Sequence, residues 1–169
     1  MEVRTIRPDE CELLGRITIR AYRNLQGGVA IGPYEEVLRD VAARTVDCEV
    51  FVAVDANGDL MGGVTYVPGP GTDWSEFTDP DAAGIRMLAV DPSHEGVGAG
   101  RALVETCIAR ARVQHRRRIV LHSTPVMKVA RALYGRLGFV TMPELDAWVT
   151  NEPYSVDEPL RLIAYGLSL

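Results

Sequence analysis

The stretch from Ile85 to Gly100 constrains this chain more than any other. Ile85 to Val90 reads as a strand and Asp91-Pro92 ends it. The turn Glu95-Gly-Val-Gly-Ala-Gly100 then opens a helix with Leu103, Cys107, Ile108 and Ala111 on one face. A strand feeding a glycine-rich turn into a helix is a device for holding phosphate. The first turn of a helix leaves backbone N–H groups unpaired, and the macrodipole adds about half a positive charge there. Gly96, Gly98 and Gly100 remove Cβ atoms that would hold a pyrophosphate away from those groups. The same turn also serves simply to pack a helix on a sheet, and the residues alone allow both readings. No Lys-Ser/Thr follows the glycines, which excludes a Walker loop. Their position in mid-chain, after antiparallel strands, is poor context for a dinucleotide-binding start.

The rest of the chain supplies a mixed set of elements. Val3 to Ile6 reads as a short strand, and Asp9 as the cap of a helix through Leu13, Leu14, Ile17, Ala21 and Leu25, stopped by Gly27 and Gly28. A second helix is expected from Pro33, burying Val37, Leu38 and Val41. Glu49 to Val54, the turn Asp55 to Gly58, and Leu60 to Val67 read as an antiparallel pair. Pro68 to Ala83 is a long loop, and such loops inside compact domains are more often functional than idle. Ile119 to Ser123 is a strand, Pro125 starts a helix through Val129, Leu133 and Leu137 that Gly138 ends, and Leu160 to Tyr165 is the final strand.

Composition bounds the function classes. A chain of 169 residues, 47% hydrophobic and 24% charged, is expected to form one domain spanning 1–169. A net charge of -5 argues against a nucleic-acid partner. The basic run Arg110, Arg112, His115, Arg116, Arg117 and Arg118 reads as a solvated helix end. Cys11, Cys48 and Cys107 are odd in number and scattered, which implies a reducing compartment and no metal site. No apolar run approaches the roughly 18 residues of a membrane span, so a cytoplasmic protein without a membrane partner is expected.

Two motifs together carry a family resemblance. Leu88-Ala-Val-Asp-Pro92 followed by Glu95-Gly-Val-Gly-Ala-Gly-Arg101, and Ala130-Arg-Ala-Leu-Tyr-Gly-Arg-Leu-Gly-Phe139, resemble the two signatures of the GNAT superfamily of N-acetyltransferases in order and separation. The resemblance extends from Val3 to about Tyr165. It implies a mixed α+β fold: a central, mostly antiparallel sheet with a splayed parallel strand pair holding acyl-CoA, flanked by about four helices. It implies acetyl-CoA as cofactor and an amine as acceptor, in a monomer or homodimer. The cofactor-binding residues so implied are Leu88, Ala89, Val90, Glu95, Gly96, Val97, Gly98, Ala99, Gly100, Arg101, Ala130 and Tyr134. Glu95 stands where the family usually has Gln or Arg, and Met127 where many members have Asn.

Acyl transfer from a thioester to an amine requires a neutral amine, a stabilised oxyanion and a protonated leaving thiolate. The resemblance makes the Val90 N–H the candidate for polarising the thioester carbonyl and Tyr134 the general acid, since a phenol stays protonated at pH 7. Without that resemblance Tyr134 would read as a core tyrosine. Gly84 sits where a catalytic carboxylate is frequent, leaving His122, Glu76, Asp79, Asp81 and Glu144 as candidate bases. A lone strand histidine is more often structural. The candidate acceptor site comprises Tyr22, Trp74, Asp79, Asp81, Arg86 and His122, with Tyr34, Glu35, Glu36, Asp146 and Trp148 as further walls. The loop from Pro68 is expected to cover it, its carboxylates attracting a protonated amine. The leading expectation is an acetyl-CoA-dependent N-acetyltransferase. The alternatives are a non-catalytic acyl-CoA-binding regulatory module and a plain interaction domain.

Overall fold

The computed structural model describes residues 1–25, 32–149 and 159–169; Gly27 and Gly28, expected to end the first helix, lie outside them. Among the described residues, eight strands and five α-helices follow one another: β1 (Glu2–Thr5), α1 (Cys11–Arg23), α2 (Tyr34–Arg39), α3 (Val41–Asp47), β2 (Glu49–Val54), β3 (Leu60–Val67), β4 (Ala82–Val90), α4 (Ala99–Val113), β5 (Arg118–Ser123), α5 (Lys128–Arg136), β6 (Val140–Thr141), β7 (Ala147–Val149) and β8 (Leu160–Ser168). The strands run in the order β1-β2-β3-β4-β5-β8-β6, with β7 pairing separately on β8. Every pairing is antiparallel except β4 with β5.

The period-two geometry of a strand explains how the sheet is covered on both faces. Val50, Val52 and Val54 of β2 pack with Leu14 and Ile17 of α1 and Val41 of α3. Phe51 and Ala53, on the opposite face, join Leu103, Val104, Cys107 and Ala111 of α4. Strands buried on both faces read as nearly continuous apolar runs, as β2 and β3 do.

Two features of β4 shape the molecule. Opposite β3 the register passes from Gly63↔Ala89 to Thr65↔Arg86, so three steps on β4 face two on β3. This is a β-bulge, and Met87 sits in it at φ 52, a left-handed conformation that costs a non-glycine residue on the order of 1 kcal/mol. The Met87 side chain is buried with Ile19, Tyr34 and Leu38, which holds the strained backbone in place. On its other edge, β4 pairs with β5 only over Ala82–Ile85. Beyond that point β4 stays with β3 to Val90, while β5 stays with β8 to Ser123. The two parallel strands therefore part, and a wedge opens between them.

Several boundaries differ from expectation for local reasons. The helix expected from Pro33 is two helices, because Asp40 leaves helical geometry (ψ 76) and caps α3 through the Ala43 amide at 2.9 Å. The first helix is preceded by a 3₁₀ turn, Pro8–Glu10, in which Glu10 rather than Asp9 receives a backbone amide, that of Arg7, at 2.8 Å. β4 starts at Ala82, inside the expected loop. The last helix starts at Lys128 rather than Pro125, and Val129 is 82% exposed rather than buried.

Gly62 and Gly135 separate the demands of the sheet from those of a helix surface. A methyl at Gly62 would run into the Ala89 carbonyl oxygen and Cα of Val90, whereas one at Gly135 in α5 meets nothing within 4 Å. Gly62→Ala should lower stability by about 1–3 kcal/mol. Gly135→Ala should raise it by about 0.5–1 kcal/mol, since alanine loses less entropy in a helix. Denaturant unfolding of the two variants checks both signs.

Candidate active site

The glycine turn lies at the end of β4. Gly96 and Gly98 have φ of 81° and 89°, conformations that a side chain strains, and a Cβ on either would meet no atom within 4 Å. The backbone is thus open above them, and Gly98 is the N-cap of α4, whose first amides face outward. Asp91 fixes the start of the turn: its carboxylate accepts the Ser93 amide at 2.9 Å and hydroxyl at 2.7 Å and pairs with Arg20 of α1. Burial would raise the Asp91 pKa, but these bonds and the Arg20 charge hold it below its ordinary value. Glu95 and Val97 are exposed, Ala99 is buried, and Gly100 packs near Val90 and Leu133. Arg101 pairs with Glu105 at 2.8 Å, one turn further along the helix.

The parity of the β3–β4 ladder orients Val90. The Asp91 amide donates to the Met61 carbonyl at 2.8 Å, and Gly62 is the partner of Val90. Narrow hydrogen-bonded pairs alternate with open ones in an antiparallel ladder, so Gly62 and Val90 form an open pair. The Val90 N–H and C=O therefore point away from β3, into the wedge that β5 has left.

The wedge widens into a cleft lined by Tyr22, Tyr34, Arg86, Leu88, His122 and Tyr134, with Glu76, Thr124, Met127 and Ala130 also on its walls. The Tyr134 ring is buried against Phe139 and Tyr165, at centroid distances of 5.7 and 5.9 Å. Burial, with Cys107 and Tyr165 alongside, pushes its phenol well above the ordinary value of 10.0, so it keeps its proton at any physiological pH. Thr124 is a polar group that sequence reasoning did not single out. Its hydroxyl is buried with no hydrogen-bond partner, three residues before Met127, where the family's Asn is missing. The signal available was only a threonine just after the strand before α5.

Glu76 organises the opposite wall. One carboxylate oxygen takes Arg86 Nη2 at 2.9 Å and the other takes His122 Nδ1 at 3.0 Å. His122 Nε2 lies 3.0 Å from the Leu145 carbonyl. Both ring nitrogens thus face acceptors, and both are satisfied only by imidazolium. Burial alone would lower the His122 pKa; the bonds to Glu76 and Leu145 outweigh it and raise the value. Glu76 is likewise pushed up by burial, but His122 and Arg86 hold it below its ordinary value. His122 is therefore poorly suited to take a proton as a base. At Gly84, where a carboxylate is frequent, the space is filled by the Phe77 ring.

Trp74 stacks on Arg86, whose guanidinium carbon is 5.8 Å from the indole centroid. Asp79 and Asp81 are not brought to the cleft: they pair with Arg118 at 3.1 Å and Arg117 at 3.8 Å, at the opposite end of β5. Of the basic run expected to be a solvated helix end, Arg112 and His115 are exposed and Arg110 pairs with Glu49, while Arg116 to Arg118 hold the loop, Arg116 donating to the Pro80 carbonyl at 2.8 Å. Trp148 is 62% exposed, and Asp146 is tied to Arg161 at 2.6 Å.

The sequence profile of the Acetyltransferase (GNAT) family matches residues 13–139, and the chain belongs to that family. A mycothiol acetyltransferase of Cellulomonas flavigena is 31% identical over 90 residues, covering 53% of this chain and 26% of that protein. The chain thus spans about a quarter of that relative's length. Among solved structures, the ribosomal-protein-alanine N-acetyltransferase of Brucella melitensis superposes with a TM-score of 0.72 at 19% identity, covering 100% of both chains. The Salmonella typhimurium protein yncA with its cofactor acetyl-CoA gives 0.70 at 21% identity, over 99% of this chain and 93% of that one. These likenesses establish the GNAT fold.

The Glu76–His122 pair has a pH signature. His122, raised above 6.5, contributes stability that is complete below that pH and lost as pH climbs through its folded value. Glu76, lowered below 4.5, contributes stability that is complete above that pH and lost as pH falls through its folded value. Both contributions are complete between those two pH values. NMR titration should find His122 above 6.5 in the native protein. In Glu76→Gln it should fall, because the carboxylate charge that opposes burial is then gone.

Proposed function

We propose that this chain transfers an acetyl group from acetyl-CoA to an amine by direct attack within a ternary complex. The observation that carries the reading is the wedge between β4 and β5, with the glycine turn at one end and Tyr134 inside. The amides of Gly96 to Arg101 hold the pyrophosphate, and the pantetheine arm lies along β4 from Leu88 to Val90, pairing with the free Val90 groups while Ala89 stays bonded to Gly63. The orphaned Thr124 hydroxyl supplies the polar contact that Met127 lacks. Ala130 lines the passage beside Tyr134. Bound acetyl-CoA supplies the acyl group as a thioester.

The Val90 N–H donates to the thioester carbonyl oxygen as negative charge develops there. The Tyr134 hydroxyl donates to the departing sulfur. With its pKa raised above that of a thiolate, about 8.5, the phenol acts chiefly as a hydrogen-bond donor in step with bond cleavage. With Phe77 at Gly84 and both His122 nitrogens facing acceptors, the acceptor reaches the thioester neutral or loses its proton to water. Residues 1–169 are read as one domain working in the cytoplasm. The three cysteines, all unpaired, suit a reducing compartment. Among the described residues no helix is long and apolar enough to cross a membrane.

Three variants test these roles. Tyr134→Phe keeps the ring packing and removes the donor, so turnover should fall about a hundredfold with acetyl-CoA affinity nearly level. Gly98→Asp should abolish measurable acetyl-CoA binding in calorimetry, because its backbone strains at φ 89 and its carboxylate faces the pyrophosphate. Thr124→Val should weaken that binding by about threefold to tenfold. Wild-type affinity in a folded Gly98→Asp variant would remove the phosphate assignment. Binding without CoA release across a broad amine panel would leave an acyl-CoA-binding module.

A further inference from the structure

His122 has no chemical task in the reaction, yet its side chain is only 6% exposed and both ring nitrogens are engaged. Nδ1 faces Glu76 Oε2 at 3.0 Å, and Nε2 faces the Leu145 carbonyl at 3.0 Å. Glu76 belongs to the loop between β3 and β4, and Leu145 ends the 3₁₀ turn Pro143–Leu145 between β6 and β7. Both segments border the cleft. Glu76 lines it directly, and β7 pairs through Ala147 and Val149 with Leu162 and Leu160, which line it too. The turn is tied to β8 at its two ends, where the Met142 amide donates to the Ala164 carbonyl at 2.9 Å and the Asp146 carboxylate accepts the Ala164 amide at 2.9 Å. Between those ends the Leu145 carbonyl rests on His122.

Only the charged ring can make both bonds. Imidazolium has two N–H donors, whereas neutral imidazole has one donor and one lone pair. A carboxylate is the stronger acceptor, so a neutral ring keeps its proton on Nδ1 and turns the Nε2 lone pair toward the Leu145 oxygen. Two lone pairs then oppose each other, and the turn is pushed away from β5. The loop keeps its own fastening on Arg116 and Arg118 in either case. Among the described residues, the charges acting on the ring are Glu76 from the loop, Arg86 from β4 and Asp146 just after the turn. Glu76 and Asp146 favour the charged form, and Arg86 opposes it. We infer that His122 is a positioning residue whose second proton fastens the Pro143–Leu145 turn beside the acceptor cleft, and that losing this proton frees the turn and loosens acceptor binding. The inference rests on the acyl-transfer reading only for its kinetic consequence. The turn is fastened below the folded pKa of the ring, which lies above 6.5, and is released as pH climbs through it.

NMR of the isotope-labelled protein follows the Leu145 carbonyl carbon and the His122 ring through one pH titration. In wild type the carbonyl should move upfield with the midpoint of the ring. In Glu76→Gln the neutral amide can donate to Nδ1, which leaves the Nε2 proton on Leu145 in the neutral ring as well. The carbonyl should then stay level while the ring still titrates. His122→Gln has no ring to titrate, so its Leu145 resonance should also stay level, and it decides the matter if Glu76→Gln does not fold. A dispersed amide spectrum establishes folding in each variant. The kinetic arm measures KM for one accepted amine by release of CoA. The ratio of wild-type to Glu76→Gln KM cancels the amine's own titration and should rise about threefold to tenfold through the wild-type midpoint, the worth of one hydrogen bond. A Leu145 carbonyl that ignores the wild-type ring, or that titrates equally in His122→Gln, overturns the inference. A KM ratio independent of pH does the same. If Leu145 follows the ring but no amine releases CoA, the fastening stands and it is acyl transfer that fails.

Discussion

β4 belongs to two neighbours that do not agree on its length. β3 holds it by an antiparallel ladder as far as Val90, while β5 holds it only to Ile85 before following β8 instead. An antiparallel pair with matched hydrogen bonds on one side and a lapsed parallel pair on the other leaves a row of backbone groups without partners. Buried backbone N–H and C=O groups in native proteins are nearly always paired. The wedge is therefore an unsatisfied edge inside the molecule, and an extended, amide-bearing ligand satisfies it as a strand would. The Met87 bulge, the Asp91 cap and the glycine turn all set where that edge begins and ends.

The second organising contact is Glu76, which reaches from a loop to tie β4 to β5 through Arg86 and His122. Because the two strands have parted there, side chains bridge the gap that backbone bonds no longer close. The loop can do this because its far end is anchored on Arg116, Arg117 and Arg118, and its near end by Ser75 Oγ donating to the Gly69 carbonyl at 2.8 Å. Asp79 and Asp81, which looked like part of an acidic funnel in the sequence, are instead the loop's fastening, whereas Glu76 does line the cleft.

Much of the sheet was legible because its signals are local. Glu49 to Val54, Asp55 to Gly58 and Leu60 to Val67 carry strand and turn chemistry in consecutive residues, and the glycine turn announces itself. The break at Asp40 was not read, since the apolar pattern of Leu38 and Val41 runs through it and only the cap marks it. β6 and β7 were missed because two or three residues carry no periodicity. At the site, Tyr22, Arg86, His122 and Tyr134 could be named from sequence, but their grouping could not, because it depends on β4 leaving β5. The partners of Asp79 and Asp81 lie nearly forty residues away, beyond any sequence pattern, and Thr124 becomes informative only once its hydroxyl is found buried and unpartnered.

The central claim is that the edge of β4 and the turn after it receive acetyl-CoA. Titration of the isotope-labelled protein with acetyl-CoA, followed through backbone amide resonances, tests it most directly. The account predicts that the largest shifts fall on Leu88 to Val90 and on Gly96 to Arg101, with the Val90 amide moving downfield as it gains a hydrogen bond. Shifts concentrated instead on the arginine-lined groove of Arg16, Arg20, Arg23 and Arg39, with Val90 unmoved, would contradict it.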